Sequence, residues 1–193
     1  MSENEKHNEK MKRLQTSKQK IFAKKTEKKG LIIVHTGTGK GKSTAAFGMV
    51  FRGIAHGMPC AVVQFIKGAM ATGERDLIQH HFPELCEFHT LGDGFTWDTQ
   101  DKEKDIASAK KAWSKAKELI SDKKKKIILL DEINIALRYG YVEIDDVVTF
   151  LLEKKPKMTH VILTGRNANE KLIDIADLAV SYTHLTLPTI CSV

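Results

Sequence analysis

The chain has 193 residues, 28% of them charged and 41% hydrophobic, with a formal net charge of +7. This length suits one domain with a substantial core, in a composition ordinary for a globular protein. Three scattered cysteines (Cys60, Cys86 and Cys191) form no Cys-x-x-Cys pair, which argues against a disulfide framework or a cysteine zinc site, and no apolar run approaches membrane-spanning length.

The positive charge sits at the beginning. Residues 1–29 hold ten Lys/Arg against four Glu, whereas the remainder holds twenty-one basic and twenty acidic residues. Such an extension either touches nucleic acid or an anionic surface, or is simply solvated. Met11 and Leu14, with Ile21 and Phe22 further on, give it a weak helical spacing that suggests a mobile helix able to dock. The near-neutral remainder and the lack of aromatics interleaved with the basic residues argue against a nucleic-acid partner. The opening Met1–Glu5 is polar and carries no signal-peptide core, so a reduced cytoplasmic setting is expected, with no membrane contact.

Leu31 to His35 reads as the first strand, and the stretch after it is the centre of the sequence. Thr36-Gly37-Thr38-Gly39-Lys40-Gly41-Lys42-Ser43-Thr44 lies between that strand and a helix predicted over Ser43 to His56. Strand, glycine loop and Lys-Ser opening a helix is the layout of a phosphate-binding loop. The glycines let backbone N–H groups converge on phosphate oxygens, and the helix N-terminus adds partial positive charge. Lys42 supplies a full charge, and Ser43 offers a hydroxyl to magnesium. The general pattern G-x-x-x-x-G-K-[ST] has glycine where this chain has Thr36.

Ala61 to Ile66 is predicted as a second strand, Glu74 to His81 as a helix ended by Pro83, and Cys86 to Leu91 as a third strand. Gly92 to Asp98 is a loop by its glycines. A long polar helix follows, roughly Asp101 to Ser121, then a charged turn at Lys123 to Lys126. Ile127 to Glu132 is a buried strand ending in two carboxylates. Ile144 to Lys154 reads as a helix, and His160 to Thr164 as a last core strand. Asn167 with Glu170 resembles a capping box for a helix through Ala176. Strands that are continuous apolar runs alternating with helices imply a parallel sheet covered on both faces. The expected fold class is α/β: a single P-loop NTPase-like (RecA-like) domain over residues 30–180.

Asp131 and Glu132 end their strand on the phosphate-loop side of such a sheet. An Asp there holds magnesium directly or through water, and the adjacent Glu serves as a base or a second metal partner. The other reading of these carboxylates is that they cap the next helix. Paired with a glycine–lysine loop about ninety residues upstream, they point to a magnesium nucleoside triphosphate, without saying what becomes of it.

Thr36 to Ala46, then Val63-Gln64-Phe65-Ile66-Lys67-Gly68, Gly73-Glu74-Arg75, Gly94-Phe95-Thr96-Trp97, Leu130-Asp131-Glu132 and Thr164-Gly165-Arg166 occur in one order. From about Gly30 to Ala179 the chain resembles the P-loop type of ATP:cob(I)alamin adenosyltransferases, the corrinoid adenosyltransferases of cobalamin biosynthesis. In that family the first Walker glycine is also missing. The resemblance implies transfer of the 5′-deoxyadenosyl group of ATP to the cobalt of cob(I)alamin or a precursor corrinoid, with release of triphosphate. It implies that Gly37, Thr38, Gly39, Lys40, Gly41, Lys42, Ser43 and Thr44 hold the triphosphate, with Arg52 and Arg166 near the nucleotide. Ser43, Asp131 and Glu132 would serve Mg2+, Lys42 and Glu132 would be the catalytic pair, and Phe95 and Trp97 would cover the corrinoid ring. It further implies a homodimer and an electron donor that makes Co(I).

The chain departs from the family pattern at two places. Thr38 stands where family members often carry Asn. Residues 181–193 resemble nothing in the family and are expected to be foreign sequence, to be set aside in reasoning about the fold. The competing function is a RecA-like ATPase in which Glu132 activates water and hydrolysis drives a partner. It explains the two nucleotide elements but leaves Gly94–Trp97 and Gln64–Gly68 without a purpose.

Overall fold

The apolar runs assemble as a six-stranded, all-parallel sheet. In the computed structural model, which describes residues 2–66, 72–91 and 102–183, the strands are β1 Ile32–Thr36, β2 Cys60–Gln64, β3 Cys86–Thr90, β4 Ile127–Asp131, β5 His160–Thr164 and β6 Leu178–Ser181. Their order is β3-β2-β4-β5-β1-β6, and every neighbouring pair is parallel. Parallel strands need a crossover between them, and helices supply it. The helices are α1 Glu3–Ala23, α2 Lys42–Ala55, α3 Gly73–His81, α4 Lys102–Ser121, α5 Ile133–Arg138, α6 Ile144–Glu153 and α7 Glu170–Asp174.

The strands lack polar alternation because both faces of the sheet are covered. Ile32, Val34, Ala61, Val63, Ile128, Leu130, Val161 and Leu163 point to one side, against Trp113, Leu119 and Ile120 of α4, Ile133 of α5, Val147 and Leu151 of α6 and Leu172 of α7. Ile33, Cys60, Val62, Ile127, Leu129 and Ile162 point to the other, against Phe47, Val50 and Ile54 of α2 and Ile78 of α3. Each fully buried Leu or Ile contributes about 1.5–3 kcal/mol. Cys60 and Cys86 are buried core residues, and burial pushes their thiols up to about 11 and about 12.

The predicted α/β sheet is present, and the differences are local. The basic extension forms one continuous helix, α1. It is started by a capping box in which Glu5 N–H donates to Ser2 Oγ at 3.3 Å and Ser2 N–H donates to Glu5 Oε2 at 2.7 Å. No residue of α1 is buried; Met11, Leu14, Ile21 and Phe22 are all exposed. Two elements were missed: α5, only six residues long, and β6, an exposed edge strand of four. The last helix starts later than predicted. Asn169, whose side chain accepts from Lys171 N–H at 3.0 Å, caps it. Asn167 instead takes a left-handed φ of 53°, in the turn that lets Ala168 N–H reach Thr36 Oγ1 at 2.9 Å. That helix ends at Asp174, and β4 ends at Asp131 rather than Glu132. Ser181 closes β6 and Tyr182 bonds to the phosphate loop, so the boundary drawn at 180 falls inside the fold. The remaining tail, 184–193, lies outside the described residues.

At the far end of the sheet, β1 is held by side chains. Leu31 N–H donates to His160 Nδ1 at 3.2 Å, and Ile32 N–H to Asp177 Oδ2 at 2.9 Å. Lys155 Nζ donates to the carbonyls of Gly30 and Thr159, each at 2.9 Å. Burial, then the nearby Lys155 charge, lowers the pKa of His160. An imidazole protonated more readily unfolded than folded stabilises the fold fully above the unfolded value, and that contribution is lost as pH drops below it. We therefore expect the melting temperature to fall between about pH 7.5 and about pH 5.5. His160→Asn should show a smaller fall, with the burial-lowered His35 accounting for part of what remains. Identical pH slopes in the two proteins would refute this assignment.

Candidate active site

The last residue of every strand is polar: Thr36, Gln64, Thr90, Asp131, Thr164 and Ser181. The C-terminal edge of this parallel sheet is therefore a polar rim, the edge at which open α/β sheets bind ligands. The loop after β1 rises from it. Gly37 and Gly41 have φ of 95° and 98°, which residues with a side chain adopt only at a cost. Gly41 is the N-cap of α2 and provides no side-chain cap, so the helix presents backbone N–H groups to the loop. Lys42 begins the helix and is 6% exposed. Its Nζ folds back over the loop, donating to Gly37 O at 3.0 Å and Gly39 O at 2.5 Å. Thr38, Lys40 and Thr44 are exposed, and Ser43 is half-buried.

The second half of the site comes from β4 and β5. Because β5 lies between β1 and β4, Thr164 is flanked by His35 in register on one side and by Asp131 on the other, to which its hydroxyl donates at 2.8 Å. The same hydroxyl accepts from Glu132 N–H at 2.9 Å. Glu132 has a φ of 64°, unusual for a residue with a side chain and concentrated at functional sites. Asp131 is fully buried, and its other oxygen accepts from Gln64 Nε2 at 3.1 Å. Gly165, with φ of 129°, leaves the space beside Glu132 and Asn134 that a Cβ would fill.

Electrostatics join the two halves. Burial lowers the pKa of Lys42, Glu132 opposes that shift, and Arg166 and Lys40 add to it. The charges of Lys40, Arg166 and Glu132 therefore all act on the Lys42 ammonium. A buried ammonium repelled by two cations gains from an anion placed beside it.

The structure thus brings together Gly37 to Ser43, Asp131, Glu132 and Arg166. Arg52 is not brought to the loop: it is exposed in the last turn of α2, ten residues from Lys42, an axial rise of about 15 Å. Phe95 and Trp97 lie outside the described residues. Sequence reasoning did not single out His35, Gln64, Asn134 or Thr164 as site residues. For Gln64 and Thr164 the signal was available, since each is a polar residue closing an apolar run.

Residues 28–188 match the family described as ATP:corrinoid adenosyltransferase BtuR/CobO/CobP. The chain is 66% identical over 172 residues to a corrinoid adenosyltransferase of Sinorhizobium sp, covering 89% of this chain and 80% of that protein. It is 45% identical to one of Pseudomonas aeruginosa (90% of this chain, 84% of that protein) and 41% identical to one of Escherichia coli K12 (86% and 84%). Among solved structures, a KaiC-like protein of Pyrococcus horikoshii OT3 superposes with a TM-score of 0.52 at 19% identity, over 83% of this chain and 76% of that one. That last likeness concerns the fold alone.

Proposed function

This chain belongs to the ATP:corrinoid adenosyltransferase family, whose function is adenosyl transfer from ATP to a corrinoid, and we propose that its phosphate loop grips the triphosphate so that it departs as one unit. One observation carries the proposal: the Lys42 ammonium lies over the loop at the start of α2, on the carbonyls of Gly37 and Gly39, and the charges of Lys40, Arg166 and Glu132 all act on it. Reduced cobalt is the nucleophile. Its electron pair forms the bond to C5′ of ATP, the C5′–O bond breaks, and that electron pair leaves on triphosphate. No proton needs to move. The protein's task is to align cobalt with C5′ and to stabilise charge gathering on the leaving group. Lys42 and Arg166 do the second, and the loop amides share the load.

Magnesium belongs to the same proposal. The donors present fit it: the Ser43 hydroxyl, the Glu132 carboxylate and the buried Asn134 Oδ1, which has no hydrogen-bond partner among the described residues. Among those residues no cluster of three His, Cys, Asp or Glu could hold a metal unaided. That agrees with a hard cation taking most of its oxygens from triphosphate and water. When bound, the ion would supply positive charge against the triphosphate. Glu132 would hold it, and Asp131 would act through Thr164. Arg52, toward the far end of the nucleotide, and Phe95 and Trp97, over the corrinoid, are proposed on resemblance alone. So are the homodimer, the separate electron donor and a cytoplasmic setting; no helix of the described residues is long and apolar enough to cross a membrane.

Mixing chemically reduced cob(I)alamin, MgATP and the protein tests this. The expected result is an absorbance change to adenosylcobalamin with triphosphate in equal amount. ADP and phosphate without a corrinoid product would overturn it in favour of an ATPase.

A further inference from the structure

Gln64 is 1% exposed at the end of β2, a strand whose other residues (Cys60, Ala61, Val62 and Val63) are apolar or thiol and fully buried. An amide in that position must be hydrogen-bonded or it costs stability, and packing alone would be served by an apolar residue. The register explains its presence. Gln64 pairs with Asp131 on one side and Thr90 on the other. Its Nε2 donates to Asp131 Oδ2 at 3.1 Å, and its Oε1 accepts from Thr90 Oγ1 over a longer 3.4 Å. The backbone repeats the link: Phe65 N–H donates to Asp131 O at 3.0 Å, and Leu91 N–H to Gln64 O at 3.2 Å. Asp131 Oδ1 accepts from Thr164, and Thr164 accepts from Glu132 N–H. Side chains closing four adjacent strands, β3, β2, β4 and β5, thus form one lateral chain of hydrogen bonds. It ends on the backbone of the carboxylate that faces Lys42.

We propose that Gln64 is a positioning residue of the MgATP site: by holding Asp131 it fixes Thr164, and through Thr164 the left-handed backbone of Glu132. The proposal rests on Glu132 and Lys42 being the groups that meet magnesium and triphosphate. The carboxylate accepts only, so the amide nitrogen must face it; a side chain of the same shape without that donor should fail.

The test is MgATP binding by calorimetry in the absence of corrinoid, with melting temperature measured alongside. Gln64→Leu removes both bonds and should weaken MgATP at least about tenfold at every pH, the scale of one lost hydrogen bond to a charged group. Gln64→Met keeps the side-chain length, lacks the donor as Gln64→Leu does, and should lose MgATP affinity by the same factor. A merely structural role would lower the melting temperature of both variants and leave MgATP affinity at the wild-type value wherever they are folded. Wild-type affinity in Gln64→Leu or in Gln64→Met would overturn the proposal. Should Gln64→Leu fail to fold, Gln64→Met decides. If wild type binds MgATP yet makes no adenosylcobalamin, the transfer reading falls and the Gln64 result still stands; if wild type binds no MgATP, both fall.

Discussion

Lys42→Ala is expected to slow adenosyl transfer at least about a hundredfold at saturating substrates while leaving the melting temperature close to wild type. The rate loss follows from the loss of a preorganised charge aimed at a departing anion. Removing one such group costs on the order of 3 kcal/mol of barrier, which is about a factor of a hundred. The Lys42 ammonium is also tied to two carbonyls of its own loop, Gly37 O and Gly39 O, so the loop's shape is lost with it. Stability should hardly change because the fold gains little from the charge. The ammonium is buried beside two further cations with one carboxylate in partial compensation, and its pKa lies below the ordinary lysine value for that reason. Lys42→Arg should recover little, since a planar guanidinium cannot follow the compact ammonium's path back over the loop. Single-turnover absorbance measures the rate and thermal melting the fold. A variant that transfers adenosyl at the wild-type rate would show that triphosphate departs without help from Lys42.

The contrast between what the sequence disclosed and what it hid has a physical basis. β2, β4 and β5 were visible because a strand buried on both faces must be apolar throughout, and Ile127 to Leu130 or Val161 to Leu163 can be little else. The phosphate loop was visible because its chemistry is local: glycines, a lysine and a helix start within nine residues. α5 and β6 were missed because six and four residues carry too little periodicity to stand out. Asn167 and Asn169 are both plausible caps, and only the tertiary tie from Ala168 to Thr36 decides between them. The Thr90–Gln64–Asp131–Thr164 chain was hidden for a deeper reason. It runs across the strands, joining residues 26, 67 and 33 positions apart, and it exists only because the registers align the strand ends. Strand order and register are set by the whole sheet, so no local window of sequence contains them. Arg52 shows the converse: resemblance names the residue as one near the nucleotide, and helical rise along α2 sets it about 15 Å from Lys42, a distance that no local pattern of sequence states.

Gly165→Ala is the second large effect expected, and its partner Gly57→Ala isolates the cause. Both glycines have positive φ, 129° at Gly165 and 67° at Gly57. A Cβ at Gly57 meets nothing within 4 Å, so that variant bears only the left-handed backbone cost of about 1–2 kcal/mol. At Gly165 the backbone region is one that only glycine populates freely, and a Cβ would lie 2.9 Å from Asn134 Cβ and 3.2 Å from Glu132 Oε2. Something must move. Gly165 N–H donates to His35 O at 3.2 Å and Gly165 O accepts from Asn134 Nδ2 at 3.2 Å, so the residue is held between β1 and α5 and cannot swing clear without breaking one tie. The cheaper response is for Asn134 and the Glu132 carboxylate to shift. We expect Gly165→Ala to lose about 2–3 kcal/mol of stability, from strain together with the displaced contacts. MgATP affinity should fall at least about tenfold, because Glu132 no longer faces Lys42. Gly57→Ala should lose less stability and bind MgATP as wild type does. Denaturant unfolding and calorimetric binding on the two variants decide the matter. If Gly165→Ala costs no more stability than Gly57→Ala and retains wild-type affinity, then Glu132 takes its position from the Thr164 hydroxyl alone, and the close approach at Gly165 is incidental to the site.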